Sequence, residues 1–196
     1  MPSTVRVITL RDAERHRAAR KARGLLFPLD LTYQRAGVDG PTAKAISPDS
    51  IPPPYRELLA HNHSMTATLE RHFGVRVALR SMCRWSRGHW YYRRVVLTRE
   101  DSGRPVEMGA IHMNLQSLSG RIRAQILRHE MPIGRVLDDG SVRYLSRPRK
   151  FLAITPNSEM MALFWMREPR TLYGRQTELS VDGRAIGDIV EILPLI

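Results

Sequence analysis

Two opposite charges stand where the surrounding residues call for apolar strands. The segment "DIVEILP" (188–194) sets Glu191 among Ile189, Val190, Ile192 and Leu193, and an isolated buried carboxylate is costly. The segment "WYYRRVVLT" (90–98) is aromatic and β-branched, as a strand prefers. Alternate strand residues share a face, so Tyr91, Arg93, Val95 and Leu97 point one way, which puts Arg93 on the more apolar side. By the same rule Glu191 shares its face with Ile189 and Leu193. Two explanations fit. Arg93 and Glu191 could form a buried salt bridge. Alternatively they could hold a small ligand, with Arg93 forking onto a carboxylate and Glu191 accepting a hydroxyl hydrogen bond. Alternation alone does not choose between them.

Other chemistries find less support. In "HNH" (61–63) the two histidines are two apart on an expected helix and cannot face one metal ion. His129–Glu130 lacks the second histidine of a helical zinc motif. No Gly-x-Ser-x-Gly nucleophile elbow occurs, and Cys83 reads as a core residue. The expectation is therefore neither metal nor covalent catalysis.

The elements that must carry Arg93 and Glu191 follow from periodicity. A helix is expected over about 55–72, with Tyr55, Leu58, Leu59, Met65 and Leu69 on one face, and a second over about 116–129. A short third helix opens at Asn157 or Ser158 and closes before Pro169. Strands are expected at 75–83, 90–98, 106–115, 142–152, 174–181 and 185–193, the last two joined by the tight turn Asp182–Gly183. Six strands, mostly hairpin-linked, imply an α+β fold: an antiparallel sheet with helices covering one face. Residues 1–54 read as a basic extension and a Pro/Gly-rich leader, and 55–196 as the domain.

The composition is that of a soluble globular chain, with 42% hydrophobic and 26% charged residues. One cysteine excludes an internal disulfide framework and suits a reducing cytoplasm. No apolar run approaches the roughly 18 residues needed to span a bilayer. Net charge is +12, and only three of the 31 basic residues are lysines (Lys21, Lys44, Lys150). Charge alone does not make a nucleic-acid protein, and no phosphate- or RNA-binding signature accompanies it.

The order of motifs is more specific. "LLAHNHSMTATLERHFG" (58–74), "YYRRVVL", "GRPVEMGAIHMNLQSLSG", "PIGRVL", "LYGRQTELSVDGRAI" and "EILP" together resemble the chorismate lyase family from about Leu58 to Pro194. The resemblance implies a six-stranded antiparallel sheet with helices. It also implies a reaction that splits chorismate into 4-hydroxybenzoate and pyruvate without a cofactor. By this resemblance Arg93 holds the ring carboxylate. Ile133, within Pro132–Arg135, offers a backbone N–H to the same group; Glu191 meets the ring hydroxyl and Met65 lines the pocket. Arg135, or another arginine, would assist the enolpyruvyl carboxylate. Three features depart from the family pattern: the N-terminal extension, a longer stretch between "PIGR" and "LYGR", and Ala110 where some members carry arginine.

Three functional readings follow: a chorismate–pyruvate lyase, a non-catalytic aromatic-carboxylate binding domain akin to repressor effector domains, and a basic RNA-associated protein. The third rests on charge alone. Residues 1–24 carry seven basic and two acidic side chains and no core periodicity. Deleting them should leave the melting temperature and chorismate turnover nearly unchanged. A large loss of either in the truncated protein would place the tail inside the domain.

Overall fold

The computed structural model describes residues 24–194, so most of the basic tail (1–23) lies outside the described residues. In chain order the elements are α1 (Leu29–Ala36), β1 (Thr42–Ile46), α2 (Tyr55–Leu59), α3 (Met65–Phe73), β2 (Val77–Arg87), β3 (Trp90–Arg99) and β4 (Pro105–Asn114). They continue with α4 (Gly120–Arg128), α5 (Ile133–Asp139), β5 (Tyr144–Thr155), α6 (Ser158–Leu163), β6 (Leu172–Val181) and β7 (Arg184–Leu193). All strands pair antiparallel in one sheet of order β1-β5-β6-β7-β4-β3-β2.

The α+β class stands, with corrections. The sheet has seven strands, not six, because Thr42–Ile46 adds to β5 within a stretch expected to be loop. Its sequence, TAKAI, puts only two alanines on one face, too small a signal for periodicity to mark; the strand exists because the backbone of β5 offers hydrogen bonds to it. Residues 24–54 are accordingly no detached leader, since Leu26, Leu29 and Tyr33 are buried in the core. The helix expected over 55–72 is two, α2 and α3, separated at 60–64. Ser64 caps the second by accepting from Ala67 N–H at 3.3 Å. Helix α5, read only as a connection, packs against α3 and α4.

Helices lie on both faces rather than one. Val96, Met108, Val190, Ile192, Leu152 and Ile154 face α1 and α6 through Leu29, Tyr33, Met160 and Phe164. On the other face, Leu97 and Val106 meet α2 and α3, while Tyr91, Ile111 and Leu179 meet α4 and α5. The expected cap at Asn157 is present: its side chain accepts from Met160 N–H at 3.0 Å.

The neighbouring arginines of β3 are divided between these faces. Arg94, on the α1/α6 side, is 6% exposed. It forms a two-point fork with Glu159, at 2.9 and 3.0 Å, and stacks on Tyr33 with 4.6 Å from guanidinium carbon to ring centre. Glu159→Ala should therefore cost about 2 kcal/mol. That is below the roughly 3–5 kcal/mol of a fully buried pair, because the Glu159 side chain is a third exposed. A melting temperature equal to wild type would show that the fork does not stabilise the fold.

Candidate functional site

Arg93 points to the opposite side from Arg94, and its surroundings differ. It is 2% exposed, and both of its terminal nitrogens reach only the Met131 carbonyl, at 3.4 Å. Tyr91, on the same face, adds a side-chain contact. Its Nε has no hydrogen-bond partner, and no acidic side chain pairs with it among the described residues. Burial works against its charge, with Tyr91 opposing that effect, yet a guanidinium stays protonated at any ordinary pH.

The face of the sheet bearing Arg93 forms the floor of a half-open cavity under α3 and α5. Its floor includes Arg93, Val95 and Leu97 of β3, Glu107, Gly109 and Ile111 of β4, and Ile189 and Glu191 of β7. Met65 and Ile133 close it from the helices. The space open to the centres of water-sized molecules is about 80 Å³. One buried water needs roughly 10–15 Å³ by that measure, so the cavity has room for a small ligand. Gly134 makes the roof possible: a Cβ there would overlap Ser64 Oγ, and its absence lets the first turns of α5 and α3 touch.

Arg93 and Glu191 thus line one cavity and are not paired with each other. The register sets their separation. Arg93 lies across from Ile111, Ile111 across from Ile189, and Glu191 is two residues further along β7. Two strand spacings of about 4.8 Å and a two-residue step of about 7 Å place their Cα atoms roughly 12 Å apart.

Glu191, 5% exposed, is instead held by Arg175 of β6, whose Nε donates to Oε2, and by Thr177, whose hydroxyl lies 3.2 Å from the same oxygen. Arg175 is completely buried and also donates to the carbonyls of Leu59 (2.9 Å) and His61 (2.8 Å), tying the α2–α3 connection to the sheet. His61 is pushed down to about 4, first by burial and then by Arg175, so it stays neutral near pH 7.

Of the sequence-derived candidates, Arg93, Glu191, Met65 and Ile133 converge on the cavity. Arg135 does not. It lies two residues beyond Ile133 on α5, about 200° around the helix, and pairs outside the cavity with Glu70. Two buried groups were missed. Arg175 alternates with Thr177 and Leu179 in "GRQTELS", but nothing in that pattern announces its partner. Glu107 alternates with Gly109 and Ile111, and the rule that singled out Arg93 would have found it. Glu107 is 5% exposed, its Oε2 is buried without a partner, and its carboxyl is held well above the usual carboxylate range. Burial is the main cause, followed by the charge of Glu191, with Arg175 opposing both.

No family model matches the chain, and no curated protein matches it. Solved structures do. A gene product of Staphylococcus aureus subsp. aureus N315 aligns at TM-score 0.50 and 6% identity, covering 69% of this chain and 90% of that one. The effector domain of PhnF from Mycobacterium smegmatis aligns at TM-score 0.47 and 17% identity, covering 67% and 88%. Against a longer PhnF structure (TM-score 0.47, 16% identity, 68% of this chain), the match spans 64% of that chain. The likeness is one of fold. Among the described residues no helix is long and apolar enough to cross a membrane, and no cluster of candidate metal ligands occurs.

A buried cation without a counter-charge is costly to the fold, and a methionine of similar length is not. Arg93→Met should leave stability within about 1 kcal/mol of wild type, or raise it, while abolishing binding of an anion in the cavity. A large drop in melting temperature would show that Arg93 is structural.

Proposed function

We propose that the cavity binds a small aromatic carboxylate, and that the protein there converts chorismate into 4-hydroxybenzoate and pyruvate. The observation that carries this reading is Arg93, a buried guanidinium without an acidic partner among the described residues, in a half-open, mostly apolar cavity that also presents Glu191. Glu191 and Arg175 offset one another, so Arg93 leaves the cavity with one excess positive charge, the complement of a carboxylate. The roughly 12 Å Cα separation leaves room for a ring between the two side chains. The motif resemblance to chorismate lyases supplies the reaction.

The chemistry asks little of the protein. Loss of the enolpyruvyl group makes the ring aromatic, so the intrinsic driving force is large. What the site contributes is positioning, preorganised charge and exclusion of water. Arg93 orients the ring carboxylate, Met65 and Ile133 pack on the ring, and Glu191 accepts from the ring hydroxyl.

A second reading is binding of the same anion without turnover. It is favoured by the engagement of Glu191, whose Oε2 is taken by Arg175 and Thr177, leaving an acceptor more than a base. Incubating the protein with chorismate and following 4-hydroxybenzoate and pyruvate separates the two. Turnover is expected, with Arg93→Ala lowering it at least tenfold, since a charge-assisted hydrogen bond contributes roughly 1.5–3 kcal/mol. Arg93→Lys should recover only part, because an ammonium cannot form the planar fork. Glu191→Gln should weaken product binding and also lower the melting temperature, because Arg175 loses its counter-charge. Turnover indifferent to Arg93 would remove that residue from the site. Absence of turnover together with Arg93-dependent binding of 4-hydroxybenzoate would establish the second reading.

A further inference from the structure

Glu107 is a buried acid that no role discussed so far uses. It sits on β4 two residues before Gly109, on the cavity face, and Gly109 is the direct cross-strand partner of Glu191. A Cβ built on Gly109 would lie 2.9 Å from Glu107 Oε1. The Glu107 carboxyl therefore occupies the place that a side chain at position 109 would fill. Cross-strand neighbours have Cβ atoms about 4.5–5.5 Å apart, so the Glu107 carboxyl is brought beside the Glu191 side chain. Glu191 has its counter-ion and its hydroxyl donor, whereas Glu107 Oε2 is buried without a partner among the described residues.

Two acids side by side in a buried site do not both ionise readily. Glu191 pairs with Arg175, so the proton resides on Glu107, in line with the upward displacement of its carboxyl by burial and by Glu191. The pair then differs in kind, one member accepting and the other donating. A ring hydroxyl satisfies both at once, because its hydrogen goes to one acid and its oxygen accepts from the other.

We propose that Glu107 is a specificity-determining residue of the cavity: its carboxylic acid donates to the oxygen of the ring hydroxyl whose hydrogen is given to Glu191. The inference rests on the aromatic-carboxylate reading and deepens it. The site selects a hydroxyl opposite the carboxylate over an amino group, because an aromatic amine donates well and accepts poorly. It also rejects a ring bearing no polar group there, since both acids would be left unpaired.

The charged and titratable groups around Glu107 are Glu191 of β7, Arg175 of β6, Arg93 of β3 and Tyr144 of β5, whose hydroxyl donates to Asp138 of α5 at 2.8 Å. His61, from the α2–α3 connection, touches Arg175. Among the side chains of α3 and α5 that line the cavity there is no titratable group. Arg93 keeps its charge throughout, and Tyr144 is displaced upward by burial and then by its bond to Asp138. His61, at about 4, is already neutral at pH 5. Glu107 has a raised folded value, so it holds its proton at low pH and loses it as pH rises. With that loss the donor disappears and a second negative charge appears beside Glu191.

The test is calorimetric titration of the full chain with 4-hydroxybenzoate, 4-aminobenzoate and benzoate, from about pH 5 to about pH 8, below the phenol range near 10. Melting temperatures are read on the same preparations. Wild type should prefer the hydroxy acid over the amino acid by about tenfold or more, and its affinity should fall wherever rising pH takes the proton from Glu107. Glu107→Leu should lose about tenfold for 4-hydroxybenzoate, bring the amino acid level with it, and lose the pH dependence. Glu107→Gln, which keeps an N–H donor and carries no titrating proton, should recover most of the lost affinity and selectivity with a flat pH profile. Wild-type binding of 4-hydroxybenzoate with equal affinity and selectivity in Glu107→Leu overturns the inference alone. No binding of any of the three by wild type overturns the aromatic-carboxylate reading, and the inference with it.

Discussion

The site depends on one buried ion pair, Arg175–Glu191. Removing both charges from water carries a penalty of several kcal/mol per ion, repaid only when geometry and additional hydrogen bonds are good. Here they are. Glu191 takes bonds from Arg175 and Thr177, and Arg175 donates through Nη1 to the carbonyls of Leu59 and His61, while its Nη2 has no partner among the described residues. The pair thereby joins β6, β7 and the connection between α2 and α3. Helix α3 carries Met65 over the cavity, so one interaction fixes the wall and positions part of the roof. It also bears on the charge state of the neighbourhood: burial chiefly holds Glu107 toward its neutral form, and the charge of Glu191 pushes it further the same way.

Arg93 takes its meaning from what that pair leaves over. Its sequence neighbour Arg94 shows what this fold does with an arginine it needs for stability: a two-point fork to Glu159 and a stacked ring. Arg93, one residue away and at least as buried, has a distant carbonyl and a tyrosine. The difference follows from period-two alternation, which turns adjacent side chains to opposite faces. On the proposed function, a group held at such a cost among apolar residues is pre-organised for the ligand's carboxylate.

The sheet and the inward charges were largely readable from the sequence, because alternation is a local signal. Arg93 and Glu191 lie on inward faces of their strands as that signal implied, though it did not say whether they pair or line one cavity, and the Asp182–Gly183 hairpin has positive φ at both central residues, as the turn pair foretold. The identity of the partner to Glu191 was not readable. Counting back from that hairpin in an unbroken ladder, Arg175 would meet Val190 and face away from Glu191. A bulge places Ser180 opposite Ala185 but Leu179 opposite Gly187, leaving Ile186 as the extra residue, and this slip brings Arg175 opposite Glu191. No residue type in the stretch announces it. Strand β1 was hidden for a different reason, its apolar face being only two alanines. Arg135 was misplaced because a short motif gives residue order but not helical phase.

The function of the cavity turns on which atoms meet a bound ring, and a crystal structure with 4-hydroxybenzoate reads them directly. The carboxylate should lie on Arg93 beside the start of α5, with the hydroxyl between Glu191 and Glu107 and the ring over Gly109. A ligand bound in the reverse sense, or outside the cavity with Arg93 still facing only the Met131 carbonyl, would contradict the account.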